Sequence, residues 1–186
     1  MRSTRAGTLA RPRKLYDSPR MAKRFWPVFI ALAVVVPSTR APAVDCPLTN
    51  PAACTSVVDL GTINGDASSA QIVRTGTGGA FFKLRIRESS SSLKALNARV
   101  QLAVPAGVNY DLHVRCQACN GTVTKSSTNG IGAAELVAMT RSDSWTSEDT
   151  FDVFIEVRFY AGSSCLSWTL TIAGNTAAVQ GALACP

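Results

Sequence analysis

Apolar residues recur at every second position through much of the chain, and the longest such run is Thr150 to Tyr160. Phe151, Val153, Ile155, Val157 and Phe159 fall in one phase, with Asp152, Phe154, Glu156, Arg158 and Tyr160 in the other. A period of two sends alternate side chains to opposite faces, so this stretch predicts a strand with one buried face, long enough to cross a domain. Shorter runs repeat the pattern at Phe82, Leu84 and Ile86, at Val100, Leu102 and Val104, at Tyr110, Leu112, Val114 and Cys116, and at Leu166, Trp168, Leu170 and Ile172. Asn64-Gly65, Pro105-Ala106-Gly107, Asn120-Gly121 and Asn129-Gly130 punctuate them as turns. Segments at 57–63, 71–74, 122–126 and 133–140 bring the set to about eight or nine strands. The expected fold is all-β, an antiparallel two-sheet β-sandwich of jelly-roll type.

The first 43 residues break the pattern. Met21-Ala22-Lys23-Arg24 is a basic start, residues 25–36 form an apolar run of 12, and Ala41-Pro42-Ala43 is a small-x-small cleavage pattern. Residues 1–43 are therefore expected to be a leader with a signal peptide at 21–43, with Met21 as an alternative start. As a helix the apolar run rises only about 18 Å against a hydrocarbon core of about 30 Å, too short for a transmembrane segment. Three further parts follow: a Cys/Pro-rich lead-in at 44–56, the sandwich at 57–174 and a small-residue tail at 175–186. Export places the chain in the extracellular space or the periplasm.

Charge and cysteines agree with that division. The formal charge is +7, yet nine of the 19 basic residues precede position 44, leaving 10 against 11 acidic ones. A nucleic-acid partner loses its support once the leader is removed. All six cysteines, Cys46, Cys54, Cys116, Cys119, Cys165 and Cys185, follow the leader, and an even number in an exported chain reads as disulfides of open connectivity. Cys185 is expected to staple the tail onto the body or the lead-in. Cys116-Gln117-Ala118-Cys119 ends a strand, not at the helix N-terminus that thiol redox chemistry needs, so it reads as a structural bridge or turn clip.

Catalytic chemistry has little to work with. The one histidine, His113, falls on the outward phase between Asp111 and Arg115 and reads as a surface residue, and no Gly-x-Ser-x-Gly elbow is present. Asp143, Glu148, Asp149 and Asp152 gather in and after the loop entering the long strand. They are the candidates for calcium, which takes six to eight oxygens, but without EF-hand spacing the simpler reading is solvated acids and no metal or other cofactor. Phe154, Glu156, Arg158 and Tyr160 share an outward phase, as do Lys83, Arg85 and Arg87 on another strand. Together these outline an aromatic and charged platform for an extracellular glycan or protein, against the plainer reading of a soluble sheet surface. Asn120-Gly121-Thr122 fits a glycosylation acceptor, a short pattern.

Asn109-Tyr110-Asp111-Leu112-His113-Val114, Asp143-Ser144-Trp145, Val157-Arg158-Phe159-Tyr160-Ala161-Gly162 and Trp168-Thr169-Leu170-Thr171-Ile172 together resemble the bacterial pre-peptidase C-terminal domains over about residues 60–175. The resemblance implies a jelly-roll-like sandwich that is normally appended to exported peptidases, aids secretion or holds the enzyme on collagen or other polymers, and in some relatives binds calcium. Only a leader and a short lead-in precede the domain here, so no protease activity is carried over. The expectation is a secreted module that is not an enzyme and serves in binding or as a cell-surface accessory. The alternative is a peptidase-associated domain or a protease inhibitor.

Overall fold

In the computed structural model, ten strands are found among the described residues, which are 46, 48–52, 54–89, 93–121, 125–144 and 148–186. The leader, Trp145 and Thr122 lie outside them. The strands are β1 (Val57–Asn64), β2 (Ile72–Gly76), β3 (Ala80–Arg87), β4 (Leu96–Ala103), β5 (Val108–Cys116), β6 (Lys125–Ser127), β7 (Glu135–Arg141), β8 (Phe151–Gly162), β9 (Trp168–Gly174) and β10 (Leu183–Ala184). They form two five-stranded sheets. One, sheet A, has the order β1-β3-β8-β5-β6, and the other, sheet B, has the order β10-β7-β4-β9-β2.

The period of two explains the core between the sheets. Phe82, Leu84 and Ile86 of β3, Leu112 and Val114 of β5, and Val153, Ile155 and Val157 of β8 meet Val100 and Leu102 of β4, Val137 and Met139 of β7, and Trp168, Leu170 and Ile172 of β9 in one buried cluster. Fully burying a side chain of this size contributes about 1.5–3 kcal/mol, which makes the alternating face the main stabilising element of each strand. The polar ends of two core aromatics are satisfied at one loop: Gly78 N donates to Tyr110 Oη and Trp168 Nε1 donates to Gly78 O.

The sandwich is as expected, but the sheets are mixed and not wholly antiparallel. Edge strands β1 and β10 run parallel to β3 and β7. The chain leaves β1 for β2 in the opposite sheet before returning to β3, and that crossover lets β1 and β3 point the same way. β10 also gives the tail a place in sheet B.

Three disulfides tie the irregular parts down. Cys46–Cys165 and Cys54–Cys119 join the lead-in to the loops after β8 and β5, and Cys116–Cys185 joins the tail to the end of β5. Cys116 and Cys119 do not close a local clip, and none of the six cysteines is a free thiol.

Candidate functional site

The outer face of sheet A carries the polar phase of its strands. The register sets Glu156 between Phe81 and His113, Phe154 between Lys83 and Arg115, and Arg158 beside Asp111. Glu156 is buried there. It accepts from Arg115 Nη2 at 2.6 Å and from Arg158 Nε at 2.7 Å, while the Arg115 guanidinium lies 5.9 Å over the Phe81 ring. Burial pushes the Glu156 carboxyl up, but the hydrogen bonds from Arg158 and Arg115 outweigh it and hold the group below the usual range. Of the four platform residues named from the sequence, Glu156 is thus enclosed, Phe154 and Arg158 are half-buried, and Tyr160 alone is open, at 70 % exposure.

His113 is not a surface residue. It is only 9 % exposed, and Nδ1 lies 2.8 Å from Ser126 Oγ on β6. Its Nε2 is buried with no hydrogen-bond partner among the described residues. Burial, with Arg158 adding to it, lowers the imidazole pKa and favours the neutral ring. Ser126 Oγ stands beside the neutral ring, and among the described residues no carboxylate is hydrogen-bonded to that ring.

One irregularity in β8 shapes the end of this face. The ladder passes from Tyr110 opposite Phe159 to Asn109 opposite Ala161, leaving Tyr160 as an extra residue without a partner on β5. Such a bulge bends the strand and re-aims the side chain it carries. On the other side of β8, where β3 has ended, the Asn50 side chain takes a neighbouring strand's place. Its Nδ2 donates to Phe159 O at 2.8 Å and its Oδ1 accepts from Phe159 N at 2.7 Å.

At the bulge an open pocket of about 450 Å³ is lined by Asn109, Asp111, Thr128, Asn129, Gly130 and Tyr160. Asp111 is only 8 % exposed, and none of the described residues donates a hydrogen bond to it. Burial raises its pKa, with His113 and Arg158 acting in the opposite direction. Asn109 Oδ1 is likewise buried without a partner. The far wall is held by Glu135, a fully buried carboxylate of β7 that accepts from Ser127 Oγ and from Asn129 N at 2.8 Å. Asn129 Nδ2 is committed to Ala134 O at 2.7 Å. Two large apolar side chains stand nearby in the chain's loops: Ile131, 65 % exposed, in the turn whose Gly132 N donates to Val108 O, and Leu166, 62 % exposed, just past Ser163, whose N donates to Gly107 O.

Asp111, Asn109, Asn129, Glu135 and Asn50 were not singled out from the sequence as site residues. For Asp111 a signal existed, an acidic residue on the outward phase of a strand otherwise apolar at alternate positions. For Asn50 and Glu135 there was none, because their roles depend on partners 109 residues away and across the two sheets.

The acidic residues named for calcium separate. Asp143 and Asp149 come together with Glu88, their ligand oxygens within 4.8 Å of one another. Asp149 also lies 3.7 Å from Arg141 Nε and accepts from Ser144 N. Glu148 instead accepts from Thr150 Oγ1, and Asp152 binds Arg85 and Lys83. The hydrogen bond from Arg85 holds the Asp152 carboxyl low. A second, smaller pocket of about 150 Å³ over these residues, with Asp59, Gly61 and Thr62, has its cations already paired.

No family model matches the chain, and no curated protein sequence matches it. Among solved structures it is similar to the pre-peptidase C-terminal domain of collagenase from Bacillus anthracis, with 7 % identity and a TM-score of 0.38, covering 63 % of this chain and 93 % of that one. It is also similar to PliG of Aeromonas hydrophila, a periplasmic inhibitor of g-type lysozyme, with 13 % identity and a TM-score of 0.31, covering 63 % of this chain and 98 % of that one.

Proposed function

We propose that this chain is an exported, non-catalytic binding module that recognises an extracellular glycan or protein through the Tyr160 end of sheet A. The observation that carries the reading is the pocket at the β8 bulge, where an aromatic ring 70 % exposed stands beside the Asp111 carboxylate, to which no described residue donates a hydrogen bond. Clefts of this size that combine an aromatic surface with a few convergent polar groups are where small ligands and anchor side chains bind. The three disulfides fit an oxidising compartment outside the cytoplasm. No cofactor is needed for binding of this kind, and among the described residues no carboxylate orients His113 beside Ser126. Inhibition of a peptidase or other hydrolase is the form the reading takes if the partner is a protein.

The test is binding of the oxidised chain to immobilised extracellular polysaccharides and matrix proteins, comparing wild type with Tyr160→Ala and Phe154→Ala. Loss of an exposed aromatic anchor is expected to weaken binding about tenfold or more. Phe154→Ala, outside the pocket, is expected to stay close to wild type. Equal binding by all three proteins contradicts the reading.

A further inference from the structure

The hydrogen-bonding inventory of the bulge pocket narrows its ligand. Asp111 offers two carboxylate oxygens, Asn129 offers Oδ1 and the second hydrogen of an Nδ2 that gives its other one to Ala134 O, and Asn109 offers its Nδ2, its Oδ1 being closed off from solvent. Thr128 adds one hydroxyl. The lining therefore presents both acceptors and amide or hydroxyl donors, so a complementary ligand both donates and accepts, as hydroxyl groups do and an ammonium group, which has no acceptor, does not. The surrounding charges bear on the same choice. The two carboxylates of this face, Asp111 and Glu156, are balanced by Arg115 and Arg158, both of which bind Glu156, and Arg158 sits beside Asp111 in the register. Glu135 behind Asn129 adds a third carboxylate, but it is committed to Ser127 and Asn129, and a cation at Asp111 would stand close to the Arg158 guanidinium. Neutral hydroxyl donors meet no such opposition. An open pocket of about 450 Å³ beside an exposed tyrosine ring suits a ligand with one apolar face and a ring of hydroxyls.

We propose that the Asp111 pocket binds a neutral sugar ring, two adjacent hydroxyls donating to the Asp111 carboxylate while the ring's apolar face lies on Tyr160. This rests on the reading of the Tyr160 end as the binding surface and names its ligand class. The bulge at Tyr160 supplies the aromatic platform, and Glu135 fixes the opposite wall by holding Asn129. Asp111 accepts no hydrogen bond from the described residues, and its carboxylate lines the open pocket, so it is free to accept from a ligand there.

The experiment follows backbone amide resonances of the oxidised chain during titration with glucose, galactose, mannose and N-acetylglucosamine. Tetrahydropyran-2-methanol, which keeps the ring without an adjacent hydroxyl pair, and Nα-acetyl-lysine methylamide, a cation, serve as controls. The expected result is a saturable shift at 109–111, 128–130 and 160 with one or more of the sugars and with neither control. In Asp111→Asn, whose own spectrum reports that it is folded, affinity should drop about tenfold or more, since a charge-assisted acceptor is replaced by a neutral one. Sugar binding that is unchanged in Asp111→Asn overturns the proposal. Saturation of the same amides by the lysine analogue and by no sugar also overturns it, while leaving the binding surface in place. If neither sugar nor lysine analogue moves these amides, the sugar proposal falls. If Tyr160→Ala also binds polymers as wild type does, the surface falls with it.

Discussion

Two carboxylates on adjacent strands of one face have opposite fates. Glu156 is enclosed by two guanidinium groups, and Asp111, beside Arg158 in the register, has no hydrogen-bonding partner among the described residues. Arg115→Met removes one of the two guanidinium partners of Glu156 and leaves Arg158, so it should destabilise by about 1.5–3 kcal/mol in urea unfolding. Glu156, held low in the fold, stabilises above its unfolded pKa, and that contribution is lost as pH falls through its lower folded value. Asp111 has the reverse sign. With its folded pKa raised, the native state holds a proton more tightly, so stability falls as pH rises from the ordinary aspartate range through the folded value, and is level above it. Asp111→Asn should therefore unfold at higher urea than wild type near neutral pH, while losing the ligand. A structural role predicts the opposite shift. The outward phase of Asp111, His113 and Glu156 was readable from the alternation, but their burial was not. Phase fixes the face of a strand, and the closing of Arg115, Arg158 and Phe81 over that face depends on neighbours far away in sequence.

At the level of elements, β8 is the strand whose regularity was easiest to read and whose irregularity matters most. Ten residues of alternation gave its inner face, whereas the bulge at Tyr160 leaves no mark in a pattern of apolar and polar residues. Gly162 is the one local sign. It sits at φ +111°, and a Cβ there would meet Gly107 O at 2.3 Å, so the strand end needs glycine both for its backbone and for its close approach to the loop before β5. Gly162→Ala should lower stability by about 2 kcal/mol, read from urea unfolding. Asn50→Ala removes the side chain that pairs with Phe159 on the side away from β5. That residue is exposed, so the stability loss should be small, about 1 kcal/mol, with a larger relative loss of ligand affinity because Tyr160 is no longer held in place. Equal affinity for Asn50→Ala and wild type would show that the bulge holds itself.

For the whole molecule, alternating strands and glycine turns led directly to a two-sheet sandwich, because each strand carries its own period. The parallel edges and the disulfide pairing are properties of the assembled chain and were open until the sheets were in place. The bridges close long loops, with separations of 119, 65 and 69 residues, and in the chain-entropy account each contributes about 4–5 kcal/mol by restricting the unfolded state. They also differ in what they hold. Cys46–Cys165 ties together the segments just before Asn50 and just after Gly162, whereas Cys116–Cys185 fastens the tail at the other end of β5. The Cys46→Ala/Cys165→Ala pair should accordingly weaken ligand binding more than Cys116→Ala/Cys185→Ala, even where urea unfolding shows similar losses of stability. The most direct measurement is the thermal midpoint of the oxidised chain against the concentration of glucose, galactose, mannose and N-acetylglucosamine, run beside Asp111→Asn. Binding to the native state alone raises the midpoint progressively with ligand concentration. The structure predicts that rise for wild type with one or more of these sugars, and a flat response in an Asp111→Asn protein that melts higher to begin with. A variant that melts lower than wild type and still responds to the sugar would contradict it.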